Sequence, residues 1–435
     1  MRLPRDFWVY FTGQTISQVG SSFTNFALPL LVFKLTGSPT NLALTTAAEF
    51  VPYLLFGLVL GAIVDRVNRK RLMISVDLVR GAVIAVLPVL SLLGVLRVEE
   101  IYAVAFVQAT MGILFDAGEF AAVPSLVGRD ELVTANARIM ATNSAGQIIG
   151  PVLAGALVAL LPSVVYLLFI DAGTFAASSC ALLLIRRSFN EAAPDRTVGT
   201  GLTAKLRSLL GDVREGLSYV LHHPVLRSIS LMMALINFVG TSTWAQLVLF
   251  GKRAFGASDF QVGLLYGAGA AGIFLVSTLA GPLRRRLSFP VVALGALVVD
   301  GVATAVMAVV PWYPVAVVLW AAATGFGLLL NINTGALRQA IVPSHMFGRV
   351  ISIAGVLAWS ANPLGALAGA AAIQATGNVR LVYFVIGVLT AAIALGFALS
   401  PIRHGERYLA EAARQAGAVR QQDDPTAEPA PAEAG

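Results

Sequence analysis

Twelve runs of apolar residues, each near the length of a membrane-crossing helix, constrain this chain more than any single motif. A hydrocarbon core about 30 Å thick is crossed by about 20 apolar residues at 1.5 Å per residue. Read against Pro, Gly and charged breaks, the runs predict helices over 7–34, 41–62, 72–96, 100–125, 133–160, 163–186, 226–250, 260–282, 289–310, 313–337, 347–373 and 378–400. Composition agrees: 57% of the 435 residues are hydrophobic and 12% charged, with a mean hydropathy of +0.80. Such a chain has no polar coat with which to meet water, so its outer solvent is lipid. The expected class is an all-α integral membrane protein held in a bilayer.

The net charge of +7 does not mark a nucleic-acid partner, because most of the charges sit in short loops between apolar runs. With both termini on the inner side, the outer loops hold only Lys34, Arg97, Lys252, Arg253 and Arg380 of the 30 Lys and Arg. Inner loops and termini carry most of the rest, as the positive-inside rule requires. An odd helix count would break this alternation. The expected location is a bacterial inner membrane, multi-pass, with both termini cytoplasmic, and the excess of Arg over Lys fits a GC-rich bacterial genome. The first apolar run, from near Phe7, is long enough to span, and no cleavable signal pattern precedes it. The single Cys180 excludes an internal disulfide framework and any multi-Cys metal site, and the four histidines fall in loops or the tail. No metal, no cofactor and no enzymatic reaction are expected, and the chain is expected to act as a monomer.

The runs fall into two groups of six separated by a polar stretch. This divides the chain into an N-terminal half (1–186), a cytoplasmic linker (187–225), a C-terminal half (226–401) and a tail (402–435) that ends disordered. The halves repeat. Gly61–Arg71 and Gly281–Val291 both open the loop after a second helix, 220 residues apart, and Arg80-Gly81 falls opposite Asp300-Gly301 at the same offset. Val123-Pro124-Ser125 recurs as Val342-Pro343-Ser344, and Gly150-Pro151 matches Asn362-Pro363. Two parallel copies of a six-helix bundle with a site between them is one of the recurring transporter architectures.

Polar residues in lipid-embedded helices belong on inward faces. Helix 1 carries Gln14, Gln18, Ser22 and Asn25 in steps of four, four and three, which is one helix face. A shift of 219 residues carries the last three onto Asn237, Thr241 and Trp244. Helix 4 presents Gln108, Gly112, Phe115 and Glu119, and the same shift gives Gly327, Asn331, Thr334 and Arg338. Interhelical hydrogen bonds alone would explain any one of these residues. Four stripes at equivalent positions favour a shared cavity, so Gln18, Ser22, Asn25, Gln108, Phe115, Asn237, Thr241, Trp244, Asn331 and Thr334 are the expected small-molecule contacts. Glu49 lies near the middle of helix 2, and Asp171 and Asp300 are also deep in their helices. Desolvation lets a carboxyl at such a depth load and release protons near neutral pH, so these three are the candidate proton carriers, Glu49 ahead of the two aspartates. A structural carboxyl held by Thr45, Thr46 or a neighbouring helix is the alternative for Glu49. Asp116 and Glu119 lie nearer the inner end of helix 4, within reach of loop arginines.

Residues 61–72, GAIVDRVNRKRL, resemble the loop 2–3 signature of the major facilitator superfamily, G-x-x-x-D-R-x-G-R-[KR]. Asn68 replaces the usual Gly, and Asn tolerates the positive φ of a tight turn. GQIIGPVLAG, residues 146–155, resembles the antiporter signature of the same superfamily, with Ala154 in place of one Gly. Together with GQTISQVGSSFTNFALPLLVFKLTGS (13–38) and VREGLSYVLHHPVLRS (213–228), the resemblance covers roughly 5–400 and is strongest to the bacterial drug:proton antiporter branch. That branch contains macrolide and siderophore exporters and a lysophospholipid transporter. The resemblance implies gating roles for Gly61, Asp65, Arg66 and Arg69, with Asp65 latched to the start of helix 11 near Phe347–Val350. It also implies that Arg66 or Arg69 meets Asp116 or Glu119, and that Gly146, Gly150, Pro151 and Gly155 let helices pack closely. One departure stands out: many drug–proton exporters carry R-x-x-Q-G in helix 4, and VQATMG (107–112) keeps Gln108 and Gly112 without the Arg.

The implied function is proton-coupled export of a small amphipathic or lipophilic compound by alternating access, since no Walker A pattern is present to cradle ATP phosphates. The rivals are import or lysophospholipid transport on the same fold, and a receptor or scaffold that moves nothing.

Overall fold

The structure, a computed structural model, describes residues 3–64, 67–189, 214–343, 346–404 and 406–408. Most of the predicted linker, nearly all of the tail, and Asp65 and Arg66 lie outside the described residues.

Each half contributes six spans. In the first half these are α1 (Arg5–Thr36), α2 (Pro39–Val64), α3 (Arg69–Leu92), α4 (Val98–Leu126), α5 (Leu132–Leu160) and α6 (Tyr166–Leu184). In the second they are α7 (Pro224–Ala245) with α8 (Leu247–Phe255), α9 (Asp259–Arg286), α10 (Phe289–Val309), α11 (Tyr313–Ile341), α12 (Phe347–Trp359) with α13 (Ala361–Thr376), and α14 (Val379–Phe397). Among the described residues eleven spans are long and apolar enough to cross a membrane. The 26-residue α2, packed between α4 and α13, completes the bundle as the twelfth.

Two predicted helices are interrupted. The run 226–250 breaks at Gln246, which is fully buried and donates its amide to the Pro39 carbonyl at 2.8 Å. The run 347–373 breaks at Ser360, between α12 and α13. A second correction concerns Asn68. Its φ is −69°, so no positive-φ turn is made; its side chain instead accepts from the Arg71 N–H and caps α3. Asn is among the best N-caps, which gives the substitution for Gly a local reason.

The packing repeats as the sequence does. In the first half α2 packs on α4, α3 on α4 and α3 on α6; in the second α9 packs on α11, α10 on α11 and α10 on α14. Gly81 on α3 lies against Ala172 and Phe175 of α6, and Gly301 on α10 lies against Gly387 and Ala391 of α14. The two halves meet through α5 on α9 and α2 on α13.

That meeting is one-sided. At the end opposite the chain termini one apolar core runs through both halves, from Phe26, Leu30 and Leu168 to Leu249, Leu265 and Ile386. At the terminus end the core divides. Phe7, Tyr10 and Met73 belong to a cluster of the first half, and Ile229, Leu297 and Ile402 to a cluster of the second. Hydrogen bonds between the halves gather at the opposite end as well: Arg253 donates to the Gly37 carbonyl at 2.9 Å, and Thr40 to the Gln374 side chain at 2.9 Å.

Candidate functional site

Because the contacts between the halves among the described residues gather at one end, a cavity remains between them, reaching towards the termini. It has two lobes. The first, about 570 Å³, lies within the first half and is lined by α1–α6, with Trp359 from α12. The second, about 590 Å³, lies between α1, α2 and the second half. Asn25, Glu49 and Phe50 line both, so the lobes join there.

Most sequence-predicted contacts stand on these walls. Gln18, Gln108, Phe115, Asp116, Glu119 and Asp171 line the first lobe, and Asn237, Thr241, Trp244, Asp300 and Asn331 line the second. Two do not. Ser22 is 3% exposed, donates to the Gln18 carbonyl and packs on Gly150 of α5. Thr334 is 1% exposed and donates to the Leu330 carbonyl. Both lie on the predicted helical stripe, but their hydroxyls are spent on the helix backbone.

The first lobe holds a network of hydrogen-bonded polar groups. Arg80 on α3 donates to Gln108 Oε1 at 3.1 Å, Gln108 returns its amide to the Arg80 carbonyl at 2.9 Å, and the guanidinium lies 4.3 Å over the Phe175 ring. Asp171 accepts from Thr24 and from Thr174. Buried Asp77 accepts from Ser178 at 2.6 Å, and Ser178 in turn accepts from Gln14 at 2.9 Å. Glu119 accepts from Tyr10 at 2.6 Å. The cation absent from helix 4 therefore reaches Gln108 from helix 3. Arg80 was legible only as half of a repeated dipeptide, and no one-dimensional spacing puts α3 and α4 face to face.

The second lobe is aromatic. Trp244 sits 5.0 Å from Trp320 in an edge contact and 6.3 Å from Tyr266. Thr241 donates to Asn362 Oδ1 at 2.7 Å, and Asn237 to the Ala358 carbonyl at 2.9 Å. Asp300 accepts one long bond, 3.4 Å, from Thr304 and faces the bare backbone of Gly327. Among the described residues no Lys, Arg or His lines this lobe, whereas Glu49 and Asp300 both do. Glu49 makes no hydrogen bond or ion pair among the described residues. Tyr266 and Trp320 were not singled out by sequence, since aromatic residues alone do not separate lobe from core.

The expected gating residues divide. Gly61 lies near the terminus end of α2, and Asp65 and Arg66 are outside the described residues, so the latch to Phe347–Val350 is not placed. Arg69 donates to the Phe189 carbonyl at 3.3 Å. On α5, Gly146 approaches Gln18 and Gly150 approaches Ser22, closing α5 onto α1. Gly155 lies against the backbone of Asp259, Phe260 and Gly263, and a side chain on Gly263 would meet the Pro151 carbonyl at 2.5 Å. One face of 146–155 thus packs within its half and continues into the seam between halves, where small residues permit backbone contact.

Comparison with known proteins agrees with this architecture. The chain is 32% identical to the multidrug efflux pump Tap of Mycolicibacterium fortuitum over 82% of its own length and 88% of that protein. It is 23% identical to macrolide efflux protein A of Streptococcus pyogenes, over 84% and 88%. Among solved structures, a bacterial homolog of the human lysosomal transporter Spinster, in an inward-facing and occupied conformation, matches with a TM-score of 0.71 at 14% identity, covering 93% of this chain and 97% of that one. A bacterial homologue of the iron transporter ferroportin matches with a TM-score of 0.67 at 18% identity, over 92% and 100%. The Major Facilitator Superfamily model matches residues 10–357, and with a repeated six-helix bundle around a central cavity the chain belongs to that superfamily of transporters.

Proposed function

We propose that this transporter exports small amphipathic or lipophilic compounds, amines among them, driven by inward proton flow. The observation that carries the reading is a two-lobed cavity sealed at one end, with an unpartnered Glu49 carboxyl where the lobes join. The names of the two efflux relatives support the direction. The bias of Lys and Arg towards the terminus side supports both termini, and with them the open mouth, facing the cytoplasm from a bacterial inner membrane. The halves 1–186 and 226–401 rock as two bodies about the seam, with 187–225 as their tether, and one chain suffices. Trp244, Tyr266 and Trp320 offer aromatic faces, and Asp300, with no cation beside it, suits a positively charged nitrogen. Glu49 carries the proton at the junction, where its loading is felt by both lobes.

The test is efflux from a pump-deficient bacterium and uptake into inverted vesicles, using dyes, macrolides and siderophores. Flux that collapses with an uncoupler, and with Glu49→Gln while binding persists, supports proton-driven export. Unchanged flux in Glu49→Gln removes the coupling role. Absence of flux for every compound by folded protein shifts the cargo to lysophospholipids, measured next in the same vesicles, or ends the transport reading.

A further inference from the structure

If the halves rock, whatever joins them at the sealed end has to break in every cycle. Most of the cross-seam bonds there run to neutral acceptors, as with Arg253 to Gly37 and Gln246 to Pro39. One pairs two full charges. Lys34, in the last turn of α1, lies 2.6 Å from Asp259 Oδ2, and Asp259 is the first residue of α9. The other oxygen, Oδ1, lies 2.6 Å from Lys252 of α8. Among the described ion pairs, Lys34–Asp259 joins the halves, whereas Lys252–Asp259 lies within the second half and Arg284–Glu406 ties that half to the start of the tail.

We infer that Asp259 is the latch of the sealed face: its carboxylate holds Lys34 of the opposite half, and releasing that bond admits the cavity to the opposite side of the membrane. Three observations place it. The carboxylate is divided, with one oxygen on a permanent partner in its own half and one on a partner across the seam. When the halves part, Lys252 keeps the charge paired, so of the two ion pairs on Asp259 only the Lys34 bond breaks and the latch is ready to close again. A side chain on Gly155 of α5 would meet the Asp259 carbonyl at 3.1 Å, so the residue also marks where the α5–α9 seam begins. Finally, Asp259 stands at the N-terminus of a 28-residue helix, inside a capping box formed by Ser258 and Gln261. The helix dipole and the cap fix the carboxylate in place whether or not Lys34 is present.

This inference rests on the alternating-access reading, but its test requires no substrate. Cys180 is the single cysteine, so Cys180→Ala with Thr46→Cys places one thiol on the second lobe. Its alkylation by a membrane-impermeant maleimide is timed from each face, in right-side-out and inverted vesicles. In this parent, labelling is expected to be faster from the terminus face. Asp259→Asn and Lys34→Gln are each expected to raise the rate from the opposite face about fivefold, the population shift that loss of one partly exposed ion pair produces. Lys252→Gln, whose bond does not cross the seam, is expected to change it by less than about twofold. Parent-like rates in both Asp259→Asn and Lys34→Gln overturn the latch, as does a Lys252→Gln effect equal to that of Lys34→Gln. Lys34 is 41% exposed, so its variant tests the latch even where Asp259→Asn fails to fold. Because no cargo is involved, a failed latch and a failed export reading give separate results.

Discussion

The two lobes occupy equivalent places in a duplicated bundle and have opposite character. At the third helix of each half, Arg80 of the first lobe corresponds to Asp300 of the second. Both stand one residue before a glycine that packs the third helix onto the sixth. At the fourth helix Gln108 corresponds to Gly327. In the first lobe the cation and the amide bond to each other; in the second the carboxyl faces bare backbone. The first lobe holds Arg80, Asp171 and Glu119 in internal bonds, while the second leaves Asp300 open to the cavity among aromatic rings. A shared scaffold dictates where a polar side chain is placed, but not whether it is already satisfied there. Only an unsatisfied one is free to bind something that arrives and leaves.

Three measurements would break or sharpen that contrast. The largest effect is expected for Arg80→Leu. Removing the cation leaves Gln108 Oε1 without its donor and strips the surrounding carboxyls of a nearby counter-charge, a loss of about 3 kcal/mol. Thermal unfolding in detergent should fall by several degrees and transport should be lost, with little rescue by Arg80→Lys, because an ammonium lacks the planar fork that holds Gln108 while lying on Phe175. A stable, active Arg80→Leu protein removes the idea of a fixed first lobe.

Asp300→Asn should act the other way, sparing stability and changing selectivity. Export of cationic dyes should drop about tenfold, the effect of one lost desolvated charge contact, with neutral compounds little changed and the unfolding midpoint within about two degrees of the parent. Equal losses for cationic and neutral cargo would show that the carboxyl is structural. The smallest effect is expected for Trp244→Phe, which keeps a ring against Trp320 while reducing its area. A two- to fivefold rise in KM for cationic dyes fits a contribution of about 0.5–1 kcal/mol from one ring face. If Trp244→Ala is no worse than Trp244→Phe in the same assay, the aromatic wall of the second lobe does not hold cargo.

The helical spans, the duplication and most wall residues were legible because bilayer thickness and helix period act locally along the chain. The stripe through Gln14, Gln18 and Asn25 needed only the spacing of four and three, and it does line a cavity. The same rule swept in Ser22 and Thr334, whose short hydroxyls satisfy themselves on their own helix. Hydropathy also missed the breaks at Gln246 and Ser360, since one polar residue barely lowers the mean of a long apolar run.

What the sequence determined by itself is the class of solvent, the twelve spans, the sidedness expected from Lys and Arg, and the family, because each depends on composition or on residues close together in the chain. Tertiary structure alone decided which charges meet: that Arg80 of α3 answers Gln108 of α4, that Asp300 finds only Thr304, and that Lys34 crosses the seam to Asp259, 225 residues away. The reason is physical. In a medium without water, the fate of a polar group is set by the neighbour that happens to face it, and that neighbour belongs to another helix.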